Sequence, residues 1–441
     1  MKTLSFALVS VILLHNSKRK ALLTFFGSLL VLLPNIVQAQ FTYTTNADDT
    51  LTITGYTGAG GVVSIPTNIN GQTVTGIGYP SFYHNTNVTG VIIPSSVTSI
   101  GAQAFNACRS MTEVIIPGSV KSIDDSAFDQ CFSLTNVVVP GSVTNVGDTI
   151  FGHCTSLTNA TISNGVTSIA SMFVDCTSLI SITIPPSVTN IDWAFEGCGF
   201  SSFAIPSSVS SIGEYTFYGC IFTNIIIPDS IDSISDFAFD YCRSLTRITF
   251  PNSVTNIGYC AFGNCTSLTN ITIPGSVSSI GDEIFYACQS LSNATIASGV
   301  SSIAFEMFDT CTNLTSVFFG GNAPAVVGDG FYGQVFDDDT KATVYYLPGT
   351  TGWSNTYWYV PAVPWNPQVQ NGGASFGVRS NQFGFNITGT TNIPIVVEAC
   401  TNLANPVWTP LTNVSLTNGS FYFSDPQWTN YPGRFYGIGF P

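Results

Sequence analysis

Basic residues are scarce in this sequence. It contains 11 lysines and arginines against 25 aspartates and glutamates, and charged residues make up only 8% of its 441 positions. Because nucleic-acid binding needs clustered positive charge, no nucleic-acid partner is expected. Hydrophobic residues reach 44%, which argues against a disordered chain. Serine, threonine and asparagine must therefore provide most of the surface that meets water.

Long apolar runs occur only near the N-terminus. Lys18, Arg19 and Lys20 precede an apolar run over residues 21–33 and a small-residue cleavage site after Ala39. This order predicts a secretory signal peptide, residues 1–39. An uncleaved anchor is the alternative, because another apolar run precedes the basic cluster. Both runs are shorter than the ~20 residues of a spanning helix.

Removal of the predicted signal changes the charge balance further. The segment contains four basic residues and no acidic one, so seven basic residues remain against 25 acidic ones, a net charge of −18. No later segment is long and apolar enough to predict a transmembrane span. We therefore expect a protein that is secreted or exposed at the cell surface.

Groupings of residues that would indicate catalysis or metal binding are also lacking. Beyond residue 39 there are two histidines, His84 and His153. His153 directly precedes Cys154, but adjacent residues on a tight turn point apart and no orienting acid follows. The acidic run 337–339 lacks the spaced ligands of a calcium loop and is interpreted as a solvated turn. No enzyme activity, metal or cofactor is predicted.

A repeat of 22 or 23 residues dominates the remaining sequence. Phenylalanine recurs at this spacing, at Phe82, Phe105, Phe128, Phe151, Phe173, Phe195, Phe217, Phe239, Phe262, Phe285, Phe308 and Phe331. A cysteine follows ten of them by three positions: Cys108, Cys131, Cys154, Cys176, Cys198, Cys220, Cys242, Cys265, Cys288 and Cys311. Asn85 and Gln334 take the cysteine's place at the two ends. Units this short cannot bury an apolar face alone, so they are expected to stack as a solenoid.

Each unit has the same predicted local structure. A β-branched triplet that ends at proline, as in "VIIP" before Pro117, predicts a short strand. The next piece, such as "GSVTNIG", predicts turn residues around an inward valine and isoleucine. The "xxAFxxC" piece is interpreted as one tight helical turn.

The combined pattern L-x-x-I-x-I-P-x-x-V-x-x-I-G-x-x-A-F-x-x-C resembles the BspA-type leucine-rich repeats of bacterial surface and secreted proteins. The resemblance covers about residues 62–365. It implies a right-handed leucine-rich-repeat-like solenoid, with a short parallel strand and a turn or short helix per unit, that is used for binding and often for adhesion. It implies no catalytic residues. Units around 168–173 and 190–195 are one residue short and are expected to bend or twist the rod.

The ladder cysteines are interpreted as small buried apolar residues. Their spacing does not fit the close pairs of a zinc site. Occasional disulfides in an oxidising compartment are the alternative, although parallel side chains in successive turns give poor bridge geometry. Cys260 and Cys400 lie off the ladder, and Cys260 is expected to be exposed, with a local Cys260–Cys265 disulfide as the alternative.

The regions outside the repeats complete the predicted domain organisation. Residues 40–61 are predicted to form an N-terminal β cap, and residues 62–365 the solenoid of about 12 units with a C-terminal capping turn. A linker, "PWNPQVQNGG", then leads into alternating apolar runs. Residues 366–441 are therefore predicted to form a small antiparallel β-sandwich-like module of five or six strands.

The candidate ligand-binding residues lie on the strands. Side chains one and three positions before the proline should face the core, so those two and four positions before it should face outwards. These outward rows are uncharged except at Glu113 and Arg247, with aliphatic stripes at both ends. The candidate residues are Glu113, Asn136, Thr161, Thr183, Asn224, Arg247, Thr249, Asn270, Thr272 and Thr295. Alternatively, these rows only stabilise the sheet through cross-strand pairs.

Two functions are consistent with these predictions. The first is a non-catalytic binding or adhesion protein that recognises an extracellular protein or polysaccharide through the strand face. The second is a structural cell-envelope component in which the rod spaces a C-terminal attachment module.

Overall fold

The computed structural model of the chain describes residues 40–327, 334–373 and 375–440. The predicted signal peptide, residues 1–39, and the repeat residue Phe331 lie outside the described residues. Within the described residues no helix has the length and apolar character needed to cross a membrane.

The predicted solenoid of short parallel strands is confirmed. The N-terminal cap and first unit contain β1 (Phe41–Thr45), β2 (Leu51–Tyr56), β3 (Gly61–Ser64), β4 (Asn68–Ile69) and β5 (Gln72–Ile77). The strands that follow are β6 (Val88–Ile92), β7 (Ser99–Ile100), β8 (Glu113–Ile115), β9 (Ser122–Ile123), β10 (Asn136–Val139), β11 (Asn145–Val146), β12 (Asn159–Ile162), β13 (Ser181–Thr183), β14 (Ser211–Ile212), β15 (Asn224–Ile226), β16 (Ser233–Ile234), β17 (Arg247–Thr249), β18 (Asn256–Ile257), β19 (Asn270–Ile273), β20 (Ser279–Ile280), β21 (Asn293–Ile296), β22 (Ser302–Ala304), β23 (Ser316–Phe319), β24 (Ala325–Val327), β25 (Thr343–Tyr346), β26 (Thr356–Tyr357) and β27 (Val360–Pro364).

The triplets before proline form the first strand ladder. It consists of three sheets in the orders β3-β6-β8, β10-β12-β13 and β15-β17-β19-β21-β23-β25-β27-β26. Equivalent residues pair in register, for example Gly90 with Glu113 in β6 and β8. β-Branched residues suit this position because their side chains pack well on a pleated surface.

A second parallel ladder runs through the piece that was predicted to be only a turn. Its strands have two or three residues, and Ser99–Ile100 of β7 pairs in register with Ser122–Ile123 of β9. The isoleucine points inwards as predicted: Ile100 and Ile123 are fully buried. The cap joins this ladder, because β2 pairs with β1 on one side and with β5, the neighbour of β7, on the other. Most units therefore contribute two strands, whereas Ser168, Asn190 and Ala204 of the central units form only isolated bridges.

The "xxAFxxC" piece is a non-helical turn, so the prediction of a helical turn is wrong. Gln103 and Ala107 have positive φ angles of 54° and 56°, which interrupt helical geometry. Alternate backbone N–H groups donate to the next unit, as in Phe105 to the carbonyl oxygen of Ala127 at 2.8 Å, and those between them close turns within the unit, as in Cys108 to the carbonyl oxygen of Phe105 at 3.1 Å. We call this third column of segments the turn edge. Its hydrogen bonds join neighbouring units and also close separate tight turns within each unit, without forming a continuous helix.

Phenylalanine rings form the centre of the core. From Phe82 to Phe308, successive ladder rings have centroids 4.8–6.3 Å apart and are nearly parallel. All of these side chains are buried. The widest separation, 6.3 Å, lies between Phe173 and Phe195, in the short central units.

Each ladder cysteine fills a small buried site next to this stack. All ten are free thiols. Each Sγ lies 3.1–3.3 Å from the carbonyl oxygen of the phenylalanine one unit earlier, as Cys108 does from Phe82, and donates to it. Burial raises the pKa of the Cys108 thiol to about 12. Cys260 is also buried and free, contrary to expectation.

Replacing Cys108 with serine is expected to lower stability by about 1–2 kcal/mol, because it buries a hydroxyl in place of a thiol and lengthens the contact with the Phe82 carbonyl. Urea unfolding followed by circular dichroism measures this effect, with the exposed Ser95→Ala as the control. A lower urea midpoint for Cys108→Ser alone is expected. An unchanged midpoint together with lost ligand binding would assign Cys108 a functional role.

The last unit of the phenylalanine and cysteine repeat, which we call the last rung, differs from the prediction. Phe308 stacks on Phe336, with centroids 5.7 Å apart and planes 5° apart. Asp339, three positions after Phe336, therefore takes the cysteine's place rather than Gln334. Asp339 is only 2% exposed, so the expectation of a solvated acidic turn over 337–339 is wrong at this residue.

The C-terminal part is antiparallel, as predicted. It contains β28 (Gln368–Gln370), β29 (Gly377–Arg379), β30 (Gln382–Thr388), β31 (Pro394–Cys400), β32 (Thr409–Ser415), β33 (Ser420–Asp425), a 3-10 helix at Trp428–Asn430, and β34 (Phe435–Gly439). One sheet has the order β28-β30-β29 with β33 on β30, and the other the order β32-β31-β34. The predicted linker is wrong in part, because β28 lies within it and pairs with β30.

Candidate binding face of the solenoid

The outward side chains of the first strand ladder, from β6 to β21, form one surface, which we call the binding face. On β8 the pattern is exposed, buried, exposed, and β10, β12, β15, β17 and β19 repeat it. The nine candidate residues from Glu113 to Thr272 are exposed, and Thr295 is half-buried. The strand geometry thus places all ten on one side of the solenoid.

Part of the binding face has a structural role. The side-chain amide of Asn159 donates to Asn136 at 3.1 Å, and that of Asn293 donates to Asn270 at 3.0 Å. Such rows of asparagine stabilise neighbouring strands through cross-strand pairs. Asn136 and Asn270 are therefore partly engaged within the sheet, whereas the outward threonines and Arg247 point into solvent.

Aliphatic side chains of the binding face are unusually exposed. Val62 of β3, which flanks the face, and Ile92, Ile115 and Val138 lie on successive strands and are 62%, 53%, 71% and 55% exposed. Ile226 on β15 is 80% exposed. Contiguous exposed apolar rows on a soluble protein mark contact surfaces more often than isolated apolar residues do.

A cleft interrupts the binding face after β13. Pro206 follows Cys198 by eight positions, as Pro228 follows Cys220, whereas Pro185 follows Cys176 by nine. In the segment just before Pro206, among the described residues, only Ala204 forms a strand-type pair, with Ile226. The opening has a volume of about 450 Å3, and its walls include Ile180, Ile182 and Phe203.

The cleft was not predicted from the sequence. The length of the unit does not predict it, because the segment between Cys220 and Pro228 has the same length and still forms β15. Ile182 and Ile184 occupy core positions in the repeat, yet they are only half-buried here. The interruption therefore brings core side chains within reach of a ligand.

The C-terminal end of the face is covered, which corrects the expected aliphatic stripe at that end. Phe318 on β23 points outwards but is fully buried. The Phe440 ring lies 4.6 Å from it, centroid to centroid. The Trp365 indole N–H donates to the Pro394 carbonyl oxygen at 2.8 Å. The free part of the face thus ends near β21.

The histidine next to the cysteine ladder does not form a catalytic pair. His153 Nδ1 lies 2.9 Å from Asp129 Oδ1, and its Nε2 lies 3.4 Å from Asp175 Oδ2. The Cys154 thiol instead donates to the Phe128 carbonyl oxygen in the core, and burial raises its pKa well above the usual value. Within the described residues no group of three or more histidine, cysteine or acidic side chains is arranged to hold a metal ion.

A family model described as the BspA type leucine rich repeat region matches residues 75–198 and 192–315, with six copies. These ranges together cover more than half of the 441 residues. None of the curated proteins matches the sequence.

Solved structures of leucine-rich repeat proteins are similar to the chain. A leucine rich cell surface protein of Faecalibacterium prausnitzii is 29% identical, covers 64% of this chain and 94% of its own, and has a TM-score of 0.43. A leucine-rich repeat protein of Bacteroides ovatus is 27% identical, with coverages of 63% and 93% and a TM-score of 0.37. The leucine rich repeat protein of T. pallidum is 25% identical, with coverages of 52% and 88% and a TM-score of 0.33.

Proposed function

The chain belongs to the family of BspA-type leucine-rich repeat proteins, and from this premise we propose that it is a secreted or cell-surface binding protein. Its ligand is an extracellular protein, bound without catalysis through the binding face. The exposed aliphatic row of Ile92, Ile115 and Val138 carries this proposal, together with Ile226 beyond the cleft, because burying these side chains against a partner removes apolar surface from water.

The chemistry of the binding face favours a protein over a polysaccharide. Its exposed side chains are aliphatic, hydroxyl or amide groups, with Glu113 and Arg247 as the charged ones. Among the described outward residues of β6 to β21 there is no aromatic ring on which a sugar could stack. The cleft at Ile182 offers room for an apolar side chain of the partner.

The spacer function has less support. Phe440 and Trp365 attach the C-terminal module directly to the last turns of the solenoid. A module packed in this way is not separated from the rod by a free linker. Signal cleavage and export remain predictions from residues 1–39.

The proposal predicts that Arg247→Glu together with Thr249→Arg weakens ligand binding at least about tenfold, since Thr249 pairs with Ile226, Arg247 pairs with Asn224 on the same strand, and the variant reverses the local charge pattern. The mature protein is first probed against an array of purified extracellular matrix proteins and a glycan array. Binding of each variant to the proteins that score is then measured by biolayer interferometry.

A matched control uses the same two changes away from the binding face, Arg109→Glu with Thr255→Arg, and should bind as the unmodified protein does. If the face variant binds every protein ligand unchanged, the binding face is not the site. Binding to glycans alone would contradict the assignment of a protein ligand.

A further inference from the structure

A second surface, on the turn edge, carries a cluster of aromatic side chains. Its members come from four consecutive units and share no residue with the binding face: Trp193, Tyr215, Tyr218, Phe237, Tyr241 and Tyr259. We call this cluster the turn-edge patch. Trp193, Tyr241 and Tyr259 are 37%, 36% and 36% exposed, so these rings are not part of the core.

The rings of the patch contact one another along the solenoid. Trp193 stacks on Tyr215 with centroids 4.2 Å apart, and Tyr215 stacks on Phe237 at 4.8 Å. Tyr259 meets Phe237 edge-on at 5.1 Å. These contacts run through four units, so the rings form one continuous aromatic surface along the turn edge.

The aromatic residues of this column occupy a backbone position that does not favour them. Trp193, Tyr215 and Phe237 have positive φ angles of 58°, 51° and 56°, which are uncommon for bulky residues. In other units the same position holds Ser126 or Ser171, also at positive φ. The fold thus accepts a small residue here, and core packing does not account for the aromatic ones.

Carboxylates surround the patch. Burial raises the pKa values of the Tyr215 and Tyr218 hydroxyls, the nearby charges of Asp240 and Glu196 raise both further, and Glu214 also raises that of Tyr215. Glu283 accepts a hydrogen bond from the Tyr259 hydroxyl. Among the ion pairs of the described residues, none involves Glu196, Glu214 or Glu283. The patch therefore combines apolar area with unneutralised negative charge, which a cationic partner would complement.

One cation of the chain itself already contacts the patch. The Arg243 guanidinium carbon lies 5.0 Å from the centre of the Tyr241 ring. A guanidinium is planar and weakly hydrated, so it can stack on aromatic rings and still meet carboxylates. The geometry points to the turn-edge patch as a docking surface for an arginine-rich segment of a protein partner.

The test uses three fluorescein-labelled peptides in which arginine, lysine or citrulline alternates with glycine. Binding to the mature protein is measured by fluorescence anisotropy at about 150 mM salt, because this salt screens long-range attraction between charges. The arginine peptide is expected to bind about fivefold more tightly than the lysine peptide, as stacking of guanidinium predicts. The citrulline peptide, which is planar but neutral, should not bind.

The decisive variant is Tyr215→Ser with Phe237→Ser. Serine is the residue that other units have at this position. It is expected to lose the preference for arginine over lysine, and Glu214→Gln with Glu283→Gln is expected to weaken both cationic peptides. Thr149→Ser, at the same position outside the patch, is the control. The binding-face variant should retain peptide binding, which separates this proposal from the first.

Three results would overturn the inference. The first is an unchanged arginine preference in the double serine variant, which would place the peptide elsewhere on the acidic chain. The second is equal binding of the citrulline peptide. The third is glycan-array binding that disappears in the same variant, which would make the patch a sugar site.

Discussion

Replacing Phe239 with alanine is expected to lower the free energy of unfolding by about 4 kcal/mol. The side chain is fully buried, and its ring lies 5.2 Å from Phe217 and 5.1 Å from Phe262, centroid to centroid. Truncation removes the contacts with both neighbouring units and leaves a cavity. Since a solenoid is held together by nearest-neighbour contacts, the effect should spread to both adjacent units.

A control for this prediction lies two positions away. Phe237→Ser removes the same residue type from the turn-edge patch, and serine occurs at this position in other units, so a loss below about 1 kcal/mol is expected. Urea unfolding by circular dichroism and by tryptophan fluorescence measures both variants. Equal midpoints for the two variants would contradict a core role for the phenylalanine stack.

The periodic part of the fold could be predicted because every unit meets the same surroundings. Phe105 and Cys108 are buried in their unit for the same reason that Phe128 and Cys131 are buried in the next. The alternation of outward and inward residues on a strand then gave the orientation of Glu113 and Ile115. The repetition across units indicated which residues are buried and which face outwards, and a single unit of this length does not indicate this.

Features that depend on contacts between units could not be read from spacing. The thiol of Cys108 donates to a carbonyl oxygen 26 positions earlier, and the second ladder arises from backbone pairing at Ser99 and Ser122. The turn at Gln103 is held by hydrogen bonds to the next unit, which overrode the helical interpretation. The periodicity of side chains in the sequence does not indicate which groups are the hydrogen-bond partners of the backbone N–H and carbonyl groups.

The candidate site was predicted in outline only. The rows that contain Asn136 and Thr161 face outwards as expected, but Phe318 lies beneath the C-terminal module, a contact between distant segments. The cleft at Ile182 required knowing how a unit shorter by one residue sits on its neighbour. Whether the face binds a ligand stays a prediction for the Arg247 and Thr249 variant.

The second large effect concerns Asp339, which replaces the cysteine at the last rung. The carboxylate is buried, and neither oxygen has a hydrogen-bond partner among the described residues. Burial, together with the charges of Asp309 and Asp338, raises its pKa to about 8. Between about pH 4 and pH 8 the folded protein therefore holds a proton that the unfolded chain has released.

The difference in proton binding between the folded and unfolded states determines how stability changes with pH. Below about pH 4 the group is protonated in both states, and its contribution to stability is fully present; it is then lost progressively as the pH rises to about 8. Asp339→Asn removes the titration, and Asp339→Cys restores the thiol of the other rungs. Both variants are expected to match the unmodified protein at pH 4 and to exceed its stability by about 5 kcal/mol at pH 8.

Unfolding in urea at pH 4, 6 and 8 measures this prediction on the mature chain. The exposed neighbour Asp337 provides the matched control, because Asp337→Asn removes one charge from the same turn without freeing a buried carboxyl. A stability gain that is equal at all three pH values would mean that the substitution improves packing only. A gain that appears only as the pH rises would show that the buried proton of Asp339 stabilises the end of the ladder.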